Sequence, residues 1–134
     1  MKKLFIGVLL TAIVAALASS CGMKVKTVEP YLISIDSLYA PDTVKIKTLF
    51  DVEVFGLVGP SKCYAFERLY SSGNNNNEIF IEAWGNYTYV GDPCVDEKVL
   101  LQESIEISVS VPGIYTLKGL KYNSNYSEKT LVVI

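Results

Sequence analysis

Ile105, Ile107, Val109 and Val111 alternate with Glu106, Ser108 and Ser110, a two-residue rhythm that a helix cannot gather onto one face. The same rhythm runs through Val44, Ile46, Phe50, Val52 and Val54, with Lys45, Lys47, Asp51 and Glu53 between them. One side of such a segment belongs to a core and the other to water. Further strands are expected at Tyr31 to Ile35, Cys63 to Leu69, Glu78 to Trp84, Tyr115 to Tyr122 and Lys129 to Ile134. Turn-forming clusters separate them: Ala40-Pro41-Asp42, Gly59-Pro60-Ser61, Ser72-Gly73 with Asn74 to Asn77, Gly91-Asp92-Pro93, Pro112-Gly113 and Asn123-Ser124-Asn125. No segment carries a helical stripe. About seven short strands with frequent turns predict an all-β chain, an antiparallel β-sandwich, with a barrel as the alternative.

The first twenty residues follow another logic. Met1-Lys2-Lys3 precedes a charge-free run from Leu4 to Ala18 that ends in small residues, the order of an export signal. A membrane-spanning helix needs about 20 apolar residues, and this run is shorter and gives way to Ser19-Ser20-Cys21. Leu17-Ala18-Ser19-Ser20-Cys21-Gly22 resembles the lipobox of bacterial lipoproteins, in which the cysteine is acylated and becomes the mature N-terminus. The pattern departs in one place: the large aliphatic residue usual three before the cysteine is Ala18 here, with Leu17 one step earlier. The resemblance implies a cleaved signal peptide at 1–20, a lipidated tether at 21–29 and a β-sandwich domain at 30–134. It makes Cys21 an anchor to membrane lipid, and two or three acyl chains hold where a single chain binds reversibly. In surface-displayed lipoproteins of the Bacteroidota type, acidic residues follow the cysteine closely. Here Lys24 and Lys26 do so, which favours the periplasmic face of the envelope.

With Cys21 assigned to lipid, Cys63 and Cys94 remain as a pair in an exported chain, and a disulfide is the economical reading. Cleavage of residues 1–20 from the 134-residue chain leaves 114, enough for one domain. The mature part keeps 10 basic and 14 acidic residues, a net of −4 without a basic run, which argues against nucleic acid as a partner. Pro112-Gly113-Ile114-Tyr115 resembles the entry to a late strand of immunoglobulin-like domains, where a corner tyrosine bonds back to an upstream backbone group. The resemblance taken whole is to a small immunoglobulin-like lipoprotein.

The chain has no histidine, so the commonest acid–base and nucleophile arrangements are missing, and neither an enzyme nor a cofactor is expected. Asp92, Asp96 and Glu97 around Cys94 lack the spacing of a calcium loop and read as a solvated acidic turn. Ile79, Ile81 and Ala83 suit a core, which leaves Phe80 and Trp84 facing outward, although a tryptophan buried against the second sheet is the commoner arrangement in sandwiches. Together with Tyr87 and Tyr89 these aromatics are the candidate contacts for a protein partner or, through ring stacking, for a glycan. Phe55 and Leu57, late in their strand, leave the same choice open between core and exposed contact. Asp36-Ser37-Leu38 and Asp42-Thr43-Val44 resemble the short motif on which Bacteroidota attach O-glycans to exported proteins, with Ser37 and Thr43 as acceptors. The function expected is that of a non-catalytic binding or assembly module held at the bacterial envelope, with carbohydrate binding as the alternative.

Overall fold

The computed structural model describes Gly22 and residues 24–134; the leader, Cys21 and Met23 lie outside the described residues. The described chain is all-β. Its strands are β1 (Thr27–Ile33), β2 (Ile35–Tyr39), β3 (Thr43–Val44), β4 (Phe50–Gly59), β5 (Tyr64–Gly73), β6 (Glu78–Tyr89), β7 (Val99–Ile107), β8 (Gly113–Leu120) and β9 (Tyr126–Val133), with one short 3-10 turn at Tyr122–Ser124. They form two sheets. The larger runs β1-β6-β8-β9-β3, with β5 along the other edge of β6, and the smaller is β2-β4-β7.

Nine strands stand where the sequence suggests about seven, because two expected strands each divide between the sheets. The segment Tyr31 to Ile35 breaks at Ser34: Ile33 pairs with Ala83 of the large sheet, whereas Ile35 pairs with Gly56 of the small one. Both isoleucines are fully buried, so the chain changes sheet without losing core contact. The crossing is tight enough that a Cβ on Gly56 would overlap the Ser34 carbonyl oxygen. The segment Val44 to Val54 breaks likewise. Val44 pairs with Val133 in the large sheet, a turn follows with Lys47 at φ 57°, and the small sheet resumes at Phe50. The buried parity is the same on the two sides of each break, but Ile46, expected on the core side, lies in the turn and is exposed. Residues Thr27–Glu29, expected in the tether, are already paired with β6, while Val109 and Val111 lie beyond the end of β7.

Most pairings are antiparallel, but β6 runs parallel to β8 and β3 parallel to β9, a correction to the purely antiparallel expectation. The cause is connectivity: β7 crosses to the small sheet and travels the length of the domain, so β8 re-enters the large sheet in the direction of β6. The core between the sheets is mainly aliphatic, with Phe50 and Tyr115 as its buried aromatics. Ile33, Ile35, Val52, Val54, Ile81, Ala83 and Leu117 have no exposed surface. Burial of each larger side chain among them contributes about 1.5–3 kcal/mol. One flank of the sandwich is closed by the Ser34 crossing and by Ser127 Oγ, which donates to the Ile35 carbonyl at 3.1 Å. On the other flank β5 and β7 run near each other, and among the described residues no ladder joins them.

Candidate functional site

Strand β6 presents one face to the core through Ile79, Ile81 and Ala83, and the opposite face to the outside. Phe80 and Trp84 stand on that outer face, half-buried, as alternation predicts; Trp84 does not pack between the sheets. Its indole Nε1 donates to Glu82 Oε2 at 3.0 Å on the same face. Phe80 meets Tyr126 of β9 edge to face, with ring centroids 5.6 Å apart. Between them in the ladder lies Lys118, whose Nζ sits 5.9 Å from the Phe80 ring centroid and 5.5 Å from that of Tyr126. The ammonium is shared with Glu78 at 2.6 Å and Glu128 at 3.7 Å. Hydrogen bonding to Glu78 raises the Lys118 pKa, and the bonds from Lys118 and then Asn74 lower that of Glu78. The result is a charge-compensated aromatic patch with a fixed cation over two rings.

Tyr87 and Tyr89 do not belong to that patch. Their odd positions put them on the other side of β6, so the four aromatics named from the sequence do not form one platform. Tyr87 instead closes one end of the sandwich, packing against Tyr64 with ring centroids 4.8 Å apart and planes tilted by 48°, and Tyr64 in turn meets Tyr31 edge to face at 5.5 Å. Tyr31 Oη spans the sheets to donate to the Val58 carbonyl at 2.6 Å. Burial, with smaller contributions from Tyr122 and Tyr64, pushes the Tyr31 pKa up to about 12. Tyr89 ends its strand exposed. Tyr126 and Lys118 were not singled out from the sequence, since residues this far apart in the chain share a site only through the β6-β8-β9 order.

The tyrosine end is also the covalent one. Cys63 and Cys94 form a disulfide with Cα atoms 5.5 Å apart, tying the loop before β5 to the loop after β6. Lys62 N–H donates to the Val95 carbonyl and Thr88 N–H to that of Cys63, at 2.9 and 2.8 Å. Asp92 pairs with Lys24 and Glu97 with Lys62, so these two carboxylates go to separate cations rather than converging. Among the described residues no group of three or more acidic, cysteine or histidine side chains is placed to hold a metal.

At the opposite end a cleft of about 290 Å³ opens between the free flanks of β5 and β7, with Ser71, Ser72, Ser108 and Ser110 on its rim and Ile79, Ile107 and Tyr115 below. Tyr115 Oη donates to the Val111 carbonyl at 3.0 Å, the corner bond the Pro-Gly-Ile-Tyr segment suggests. The asparagine run forms the neighbouring turn: Asn74 Oδ1 accepts from the backbone N–H of Asn76 and Glu78 at 2.8 and 3.2 Å. Ser37 on β2 and Thr43 on β3 are exposed. Phe55 and Leu57 lie on the outer face of the small sheet, Phe55 half-buried. No protein-family model, curated protein or solved structure matches this chain.

Proposed function

We propose that this chain is a bacterial envelope lipoprotein, anchored through acylated Cys21 and facing the periplasm, whose β-sandwich is a non-catalytic binding or assembly module. The observation that carries the reading is the position of the chain's entry. Lys24 pairs with Asp92 beside the disulfide loop, and β1 begins at Thr27 opposite Tyr89, so the tether reaches the domain at its disulfide end. Five residues lie between Cys21 and Thr27, and the six steps from one to the other span about 20 Å, which keeps that end near the bilayer. The cleft end and the outer face of the large sheet are then free to meet an envelope protein. An immunoglobulin-like ancestry is supported by the Tyr115 corner bond.

Two measurements test this reading. Radiolabelled palmitate fed to the native host is expected to enter the protein, and Cys21→Ala is expected to abolish both labelling and membrane retention; labelling of the variant refutes the anchor. Photo-cross-linking from Phe80, Trp84 and Tyr126 in the intact envelope is expected to give a discrete protein adduct.

Carbohydrate binding is the second reading, favoured by the Phe80–Tyr126 pair beside outward-facing Trp84. It requires a change in tryptophan fluorescence on titration with envelope glycans. A flat titration removes it.

A further inference from the structure

Free sheet edges invite pairing with another chain, and folded proteins protect them with charges, prolines, bulges or short length. The sheet edges are formed by β1, β2, β3, β5 and β7 and by the part of β9 that two-residue β3 leaves unpaired, which carries Glu128 and Lys129, and nearly all of this length is protected in one of these ways. Strand β1 carries Glu29 and Pro30 at its centre, and proline removes an N–H from the edge. Strand β2 has five residues, a register shift and Asp36; β3 has two residues. On β7, Glu103 pairs with the buried Val54 and so lies on the core-facing side of the rim, where an approaching strand would bury it. The first half of β5 carries a register shift between Phe66 and Arg68, with Glu67 and Arg68 charged.

The second half of β5 is different. Leu69-Tyr70-Ser71-Ser72-Gly73 holds no charge, no proline and no bulge, and four of its five residues are exposed. The segment is also complementary to itself. About a two-fold axis at Ser71, an antiparallel copy sets Leu69 opposite Gly73 and Tyr70 opposite Ser72, a large residue facing a small one each time. Leu69, Ser71 and Gly73 pair with Ala83, Ile81 and Ile79 on the core-facing side, and Tyr70 and Ser72 with Glu82 and Phe80 on the outer side. The matched residues therefore share a face. In this register Arg68 meets Asn74 and Glu67 meets Asn75, so no like charges are brought together.

We propose that a second copy of this chain pairs with β5 along Leu69–Gly73 in an antiparallel, two-fold symmetric seam that joins the two large sheets into one. Such an isologous contact closes on itself and leaves no further edge of the same kind, which separates a dimer from a growing aggregate. A five-residue seam is short of the area of a standard stable interface, so the dimer forms in proportion to concentration. Neither the lipid anchor nor a different partner is needed for it.

Sedimentation equilibrium of the full-length chain in density-matched detergent tests the seam. The mass is expected to rise from one copy toward two across a concentration series. Ser71→Lys and Ser71→Glu each place like charges across the two-fold axis, and each is expected to remain a monomer while keeping the wild-type unfolding transition. Mixed in equal amounts, the two variants are expected to recover the dimer. A wild-type monomer at every concentration overturns the proposal. So does a dimer that persists in both single variants, or a mixture that fails to reassociate; a heterologous strand on this edge would give the first of these results.

Discussion

The two ends of the sandwich solve the same problem with different chemistry. At the disulfide end, loops carrying Pro60, Pro93 and several charges have little apolar surface to bury, and they are held by Cys63–Cys94, by the Tyr31–Tyr64–Tyr87 cluster and by the backbone bond from Lys62 N–H to the Val95 carbonyl. At the cleft end the holding contacts are an asparagine turn, the Tyr115 corner bond and the ion pair of Glu78 with Lys118. One end is closed covalently, and the other is left partly open. The contrast teaches that the covalent clamp lies where the chain enters β1, while the opposite end keeps a cleft and an unguarded strand.

The strongest way to break the contrast is to remove the cross-link. Cys63→Ala with Cys94→Ala opens a loop with a sequence separation of 31 and is expected to lower the unfolding free energy by about 3–4 kcal/mol, read from urea denaturation. Amide exchange is then expected to quicken at the disulfide end first; equal quickening at both ends would erase the distinction. A smaller change isolates the tyrosine cap. Tyr31→Phe leaves the Val58 carbonyl without its donor and is expected to cost about 1–2 kcal/mol. Loss of that size in the disulfide-free background as well would show that the cap and the cross-link act independently.

The smallest effect is expected at the cleft end and depends on pH. Bonds from Lys118 and Asn74 hold the Glu78 carboxyl below the usual carboxylate range. The folded state therefore favours the ionised form, whose contribution is complete above the ordinary carboxylate pKa and is lost as pH falls through the lowered folded value. Lys118 gives the mirror case, its contribution complete below the ordinary lysine pKa and lost as pH rises through the raised one. Glu78→Gln is expected to shift the denaturation midpoint slightly at neutral pH, with the gap closing in acid. A gap that stays constant into acid would assign the effect to packing instead of charge.

The inward and outward parity of β6 was legible because alternation is a local property, and Ile79, Ile81, Ala83, Phe80 and Trp84 follow it. The same reading ran Val44 and Phe50 into one strand, since parity is silent about which sheet receives a residue. Tyr87 and Tyr89 show the opposite error. Closeness in sequence grouped them with Phe80 and Trp84, although their odd positions already assigned them to the other face.

What the sequence determined by itself was therefore the side of each strand that meets the core, the turns between strands and the cysteines available for a cross-link, all set by short-range sterics, hydropathy and residue count. The tertiary structure decided the rest: that the chain changes sheet at Ser34, that β8 lies parallel to β6, and that Lys118 and Tyr126 meet Phe80. Those outcomes depend on which strands become neighbours, and a two-residue period carries no information about a neighbour some forty residues away.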